Sequence, residues 1–225
     1  MAGEMLQDGF DFDHYVEERL RVEDDAVRSA AERSAEAGLP PIQVSAAQGK
    51  LLEILCAAFG ARRVLEVGTL GGYSTIFLAR GVGEGGQVVS LELDEHHAQV
   101  AGSNLEAAGV SDRVEIIVGA ASDTLASLVA DGSDSFDLFF IDADKRSNPL
   151  YVERALELSH PGSVILVDNV VRGGSVTNPD ATDEDTAGVR AMFDLLHDNH
   201  RLDATAIQTL GLKGYDGFVI ARVLS

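Results

Sequence analysis

From residue 62 to residue 169, short apolar runs alternate with longer amphipathic ones, and this rhythm restricts the chain to few folds. "RRVLEVG", "GQVVSLEL", "RVEIIVG", "FDLFFID" and "SVILVDN" read as strands, being short, rich in Val, Ile, Leu and Phe, and bounded by turn residues. Between them "GYSTIFLAR", "DEHHAQVAGSNLEAAG", "ASDTLASLVA" and "NPLYVERALEL" read as helices. Strand alternating with helix predicts a parallel sheet covered by helices on both faces, and unbroken apolar runs suit strands buried on both sides. After a predicted helix over 183–199, "RLDATAIQTL" and "FVIARVLS" are separated only by the turn-rich "GLKGYDG". A parallel crossover needs about a dozen residues or more, so this pair is expected to be antiparallel. The predicted fold is α/β: a doubly wound, mostly parallel seven-stranded sheet ending in an antiparallel hairpin.

Ahead of the strands, residues 13–37 are charged and alanine-rich, with Val16, Leu20 and Val27 at loosely helical spacing, and Gly38, Pro40 and Pro41 end the pattern. A helical arm over 1–41 and a main domain over 42–225 are expected. A helix over 45–59 follows from Leu51, Leu52, Leu55 and Phe59, with Ser45 as its N-cap. The polar loop "VRGGSVTNPDATDED" is long enough to be a lid.

The formal charge of −20 opposes attraction to nucleic acid or an anionic membrane, and neither is expected as a partner. No apolar run reaches the roughly 18 residues of a spanning helix, and the acidic start is unlike a secretory signal, so a cytoplasmic protein is expected. Cys56 is the single cysteine, which excludes an internal disulfide and reads as a small core residue. His96, His97, His197 and His200 read as surface residues, and Tyr151 as packing.

Ligands of open α/β sheets bind beyond the carboxyl ends of the strands. The first strand ends in "LEVGTLGGYS", where Gly68, Gly71 and Gly72 precede a helix. The spacing G-x-x-G-G is not the dinucleotide fingerprint, and Glu66 there would repel a pyrophosphate but suit a cationic ligand. The next strand ends in "LELD", placing Glu92 to take both hydroxyls of a ribose. An acid in place of a phosphate cradle, with a ribose-binding acid beyond it, points to S-adenosylmethionine, whose sulfonium and ammonium are positive. Here the chain resembles the class I S-adenosylmethionine-dependent methyltransferases, which have a Rossmann-like fold.

Further along, "FFIDADKRSN" carries Asp142, Asp144 and Lys145 at the end of a buried strand, and "LVDNV" carries Asp168 and Asn169 at the end of the next. Asp142, Asp168 and Asn169 are oxygen ligands suited to a hard divalent cation, Mg²⁺, Mn²⁺ or Ca²⁺. Helix capping by the two aspartates is the plain alternative. Together the motifs resemble the cation-dependent O-methyltransferases of the caffeoyl-CoA and catechol type, over residues 40–223. The resemblance implies that Asp142, Asp168 and Asn169 hold the metal, that the metal binds a vicinal diphenol, and that Lys145 helps remove the proton of the attacking hydroxyl. It also implies that Val44, Glu66, Gly68, Thr69, Gly72 and Ser74 surround the methionine end of the cofactor and that Glu92 takes the ribose. Gly119 and Ala120 of "GAAS" would lie against the adenine, with Asp142 and Asp144 also facing the cofactor. Members of the bacterial and plant type are dimeric, which implies a homodimer.

Three features depart from that pattern. Ser147 stands where plant-type members have Asn, with Asn148 following it. Ala143 stands where the catechol enzymes have His, and the chain has no tryptophan. These leave the acceptor open, with a small aromatic diol expected. A nicotinamide-dependent oxidoreductase and a non-catalytic binding protein on the same fold remain alternatives at this point.

Overall fold

A computed structural model describes residues 2–225, with side chains from residue 11 onward. Seven strands form one sheet whose spatial order, numbered along the chain, is 3-2-1-4-5-7-6, and the chain divides into two compact units, Met1–Ala121 and Ser122–Ser225.

The first unit holds α1 (Ala2–Leu20), α2 (Asp25–Glu36), α3 (Ala46–Phe59), β1 (Arg63–Val67), α4 (Tyr73–Gly81), β2 (Gln87–Glu92), α5 (Glu95–Ala107) and β3 (Val114–Val118). β1 pairs with β2 and β2 with β3, both parallel. Val64, Leu65 and Val67 of β1 and Val88, Val89 and Leu91 of β2 are buried, as their apolar runs require, whereas β3 at the sheet edge exposes Glu115 and Val118. Each fully buried Leu or Val contributes on the order of 1.5–3 kcal/mol to burial. Side-chain caps fix the helix starts: Asp24 accepts from Val27 N, Ser45 from Gln48 N, and Asp94 from the amides of His96 and His97.

Over the residues of the expected helical arm the chain forms two helices, α1 and α2. Arg21 takes a φ of 50°, and Asp24 caps a new start, so α1 ends before the charged pattern does. Charge and alanine content continue across the break, and periodicity alone did not reveal it. The arm is tied down at α2. Tyr73 donates to Glu23, Arg80 donates to Asp24 at 2.7 Å, and Arg33 Nε donates to Asn104 Oδ1 at 2.7 Å.

The second unit holds α6 (Ala121–Ala130, its first residue in the first unit), β4 (Phe136–Ile141), α7 (Asn148–Glu157), β5 (Ser159–Asp168), α8 (Glu184–Asp198), β6 (Leu202–Gly211) and β7 (Gly214–Val223). β4 and β5 are parallel, while β5–β7 and β6–β7 are antiparallel, so the C-terminal hairpin is as expected. β5 starts four residues earlier than its apolar run. A register shift between Phe136 and Leu138 lets the polar "SHPG" join the strand, with His160 Nε2 lying 2.9 Å from Asp137 Oδ1. Phe136, Leu138, Phe139 and Ile141 are fully buried. Among the described residues no helix is long and apolar enough to cross a membrane.

Candidate active site

In the first unit the loop after β1 is built around two buried carboxylates. Glu66 is 0% exposed and accepts from Ser74 Oγ, Thr75 Oγ1 and Ser90 Oγ, each at 2.6 Å. Three hydroxyl donors compensate a carboxylate withdrawn from water, which would otherwise be costly. Glu66 thus bears on any ligand through the hydroxyls around it. Ser74 links it to the first turn of α4, whose N-cap is Gly72 at φ 79° with no side-chain cap, a backbone shape that favours glycine. An N-terminus of this kind suits the carboxylate of an amino acid.

Glu92 is 8% exposed and reaches back to the same loop. Its Oε2 accepts from Thr69 N at 3.1 Å and Leu70 N at 2.7 Å, and its Oε1 from Asp94 N at 3.0 Å. These bonds hold Leu70 at φ 50°, a conformation rare for a branched residue. His97 Nδ1 lies 3.5 Å from Glu92 Oε1, so this histidine is not the plain surface residue expected. Gly119 N donates to the Glu92 carbonyl at 2.8 Å, which joins the "GAAS" turn to the end of β2. Gly68 N donates to Leu91 O, and Thr69 Oγ1 lies 2.6 Å from Ser90 Oγ. Ala120 is half-buried, and Val44 is buried just ahead of the α3 cap.

The sequence reading did not single out Asn104. It is fully buried, and its Nδ2 is shared among Ala30 O, Ser34 Oγ and Gly71 O at 3.2, 3.1 and 2.8 Å. It therefore ties α2 to the glycine loop. The visible signal was an amide beside Ala101 and Leu105 on the apolar face of "VAGSNLEAAG". Cys56 is buried as expected, and burial, followed by the nearby Glu66 charge, pushes its thiol up to about 12.

In the second unit β4 and β5 run in register from Leu138↔Val164 to Ile141↔Val167, so Asp142 and Asp168 follow the last paired residues side by side. Asp168 is 4% exposed, and Asn169 turns away from the strand at φ 58°. Lys145 is 5% exposed, and its Nζ donates to Asp142 Oδ1 at 2.6 Å. Two carboxylates and an amide at neighbouring strand ends are hard oxygen donors and fit Mg²⁺ or Mn²⁺. Among the described residues no three His, Cys, Asp or Glu side chains form a metal-sized group, so a cation here would need the Asn169 amide as third ligand.

Asp144 is held within its own turn. It accepts from Ser147 Oγ and Tyr151 OH at 2.5 Å each and from Arg146 Nε at 3.3 Å. Burial works to raise its carboxyl, but these three bonds outweigh it and hold the group below the ordinary range. Tyr151 is therefore more than packing. Burial, and then the bond to Asp144, pushes its phenol up. Ser147, one of the departures from the family pattern, is a partner of Asp144.

The loop expected to be a lid is pinned. Arg190 of α8 donates to the carbonyls of Ser175, Val176, Asn178 and Ala181, and Arg172 pairs with Asp185 at 3.0 Å. The sequence reading missed Arg190, because nothing local in "GVRAMF" marks a guanidinium that collects carbonyls from an earlier segment.

Known proteins match this arrangement along almost the whole chain. A family model described as O-methyltransferase matches residues 18–223. The chain is 50% identical over 213 residues to a catechol O-methyltransferase of Mycobacterium tuberculosis, covering 95% of each chain. It is 44% identical to a catechol O-methyltransferase of Niastella koreensis, over 94% of this chain and 96% of that one. The O-methyltransferase of Bacillus cereus, solved in complex with SAH, superposes with a TM-score of 0.94 at 47% identity, over 97% of this chain and 99% of that one. By model match, identity and coverage together, the chain belongs to the O-methyltransferase family.

Proposed function

We propose that the protein transfers the methyl group of S-adenosylmethionine to a hydroxyl of a catechol-type diphenol, with a divalent cation at Asp142, Asp168 and Asn169. The observation that carries the reading is the bond from buried Lys145 to half-buried Asp142 at the end of β4, where β5 brings Asp168 alongside. The catechol names of the two relatives and the SAH bound by the Bacillus cereus enzyme support the acceptor and the cofactor.

The residues divide the work. Glu92 takes the ribose hydroxyls, exchanging part of its hold on the Thr69 and Leu70 amides for them. Ser74, backed by Glu66, and the N-terminus of α4 take the methionine end, with Val44, Gly68, Thr69 and Gly72 closing round it and Gly119 and Ala120 against the adenine. Asp144, fixed by Tyr151 and Ser147, keeps its charge near neutral pH. A bound divalent cation would supply positive charge that favours the ionised form of a diphenol hydroxyl. Lys145 Nζ assists removal of that hydroxyl's proton. The oxygen then attacks the methyl carbon in line as the carbon–sulfur bond breaks, leaving SAH. The reaction neutralises charge, so most of the rate comes from alignment, which can supply roughly 7–11 kcal/mol.

A homodimer belongs to the same reading. β6 is an edge strand exposed from Asp203 to Leu210, and Ile207, Leu210 and Tyr215 present apolar surface on that hairpin. A light-scattering mass near that of one 23.8 kDa chain would overturn the dimer.

The reading is tested by radiolabelled methyl transfer to catechol, caffeic acid and dihydroxybenzoates with Mg²⁺, then with chelator. Transfer that stops with chelator and returns with Mg²⁺ supports it. Transfer that survives chelation removes the cation, and no transfer to any diphenol removes the acceptor class.

A further inference from the structure

The backbone that follows Asn169 is held from the start of β7. Asn169 and Arg172 both have left-handed backbones, at φ 58° and 57°, which residues with a side chain adopt reluctantly. The amides of residues 170, 171 and 172 all donate to Asp216 or Gly217 at the start of β7. Val170 N donates to Gly217 O at 3.0 Å, while Val171 N and Arg172 N donate to Asp216 Oδ1 at 2.9 and 3.1 Å. Gly217 N donates to the same oxygen at 3.0 Å. One carboxylate oxygen thus gathers three backbone amides, two of them from a segment some 45 positions earlier.

The sheet explains the reach. β7 runs antiparallel to β5 with Phe218 opposite Asp168, so Gly217 and Asp216 lie beyond the pair in step with Asn169 and its successors. The approach is close enough to require glycine: a Cβ at Gly217 would stand 2.4 Å from Ile207 O and 3.0 Å from Val171 Cγ2. Hydrogen bonds from converging backbone amides to one well-placed acceptor oxygen fix a turn directionally. They hold a turn that begins at the third oxygen donor of the strand ends.

We infer that Asp216 is a positioning residue for the cation, acting by fixing the backbone that presents the Asn169 amide beside Asp168. It makes no contact with the ion. Its role requires an acceptor oxygen at this position and does not depend on added negative charge. The inference rests on the cation reading above.

The test is Mn²⁺ binding to the full chain, followed by electron paramagnetic resonance of the free ion, on wild type, Asp168→Ala, Asp216→Asn and Asp216→Glu. Asparagine keeps an acceptor in place and loses the charge. Glutamate keeps the charge and moves the oxygen by one methylene. The expected result is Mn²⁺ affinity within about threefold of wild type for Asp216→Asn and at least about tenfold weaker for Asp216→Glu, the scale of lost outer support to a metal ligand. S-adenosylmethionine affinity of both, measured by calorimetry, is expected within about twofold of wild type, which reports an intact fold. Normal Mn²⁺ binding by Asp216→Glu overturns the inference, as does equal weakening in both variants or weakening matched by lost cofactor binding. A wild type with no Mn²⁺ site sensitive to Asp168→Ala overturns the cation reading itself, a different result from the other three.

Discussion

Lys145 Nζ donates a 2.6 Å hydrogen bond to Asp142 Oδ1 while the lysine side chain is only 6% exposed. Burying a lysine amine is costly unless a carboxylate partners it, and Asp142 at the end of β4 is that partner. Lys145→Ala is expected to lower kcat by about 10²-fold or more, the usual range for a lost proton-transfer group. Cofactor affinity should stay within a few-fold. Single-turnover methyl transfer with calorimetry separates the two, and an unchanged kcat would sink the assignment.

Asn104 joins α2 to the glycine loop through Gly71 O at 2.8 Å and accepts from Arg33 Nε at 2.7 Å. Replacing it with alanine orphans several buried groups, each costing about 1–3 kcal/mol. Asn104→Ala should therefore lower Tm and also weaken S-adenosylmethionine binding, because the loop loses its brace. Thermal melts and calorimetry check this; a Tm loss with wild-type cofactor affinity would confine Asn104 to stability.

Arg190 gathers four carbonyls of the 175–181 loop. Arg190→Ala is expected to raise KM for the diphenol while leaving KM for the cofactor unchanged, and to speed proteolytic cleavage between residues 173 and 181. Lysine should restore little, since it lacks the planar fork that reaches several acceptors at once. Equal changes in both KM values would contradict a role confined to the acceptor side.

His160 ties the start of β5 to β4. Its pKa is raised, first by its bond with the Pro161 carbonyl and then by Asp137, against the cost of burial. A raised folded-state pKa means the imidazolium favours the folded chain. Its stabilisation is complete below the unfolded value, about 6.5, and is lost as pH rises through the higher folded value. His160→Gln should therefore lose more Tm relative to wild type near about pH 5.5 than near about pH 9. A pH-independent difference would show that the pair does not titrate with folding. Both side chains are partly exposed, at 43% and 31%, so the effect should be small and should shrink with salt.

The sequence by itself determined the order of strands and helices, because apolar period and turn residues are local and a strand buried on both faces is mostly apolar. It also placed Glu66, Glu92, Asp142, Lys145, Asp168 and Asn169 at or just beyond the strand ends, since each follows or ends a readable apolar run. It did not locate the break at Arg21 within the helical arm, which interrupts no periodicity, and it took Tyr151 for packing. The supports were decided only in three dimensions. Thr75 and Ser90 answer Glu66, Asn104 reaches Gly71, Arg190 collects an earlier loop, and Asp216 gathers amides from beyond β5. The reason is physical: these hydrogen bonds join segments tens of residues apart. Their partners become identifiable only when sheet register brings the backbones to bonding distance and burial makes each unmet polar group costly.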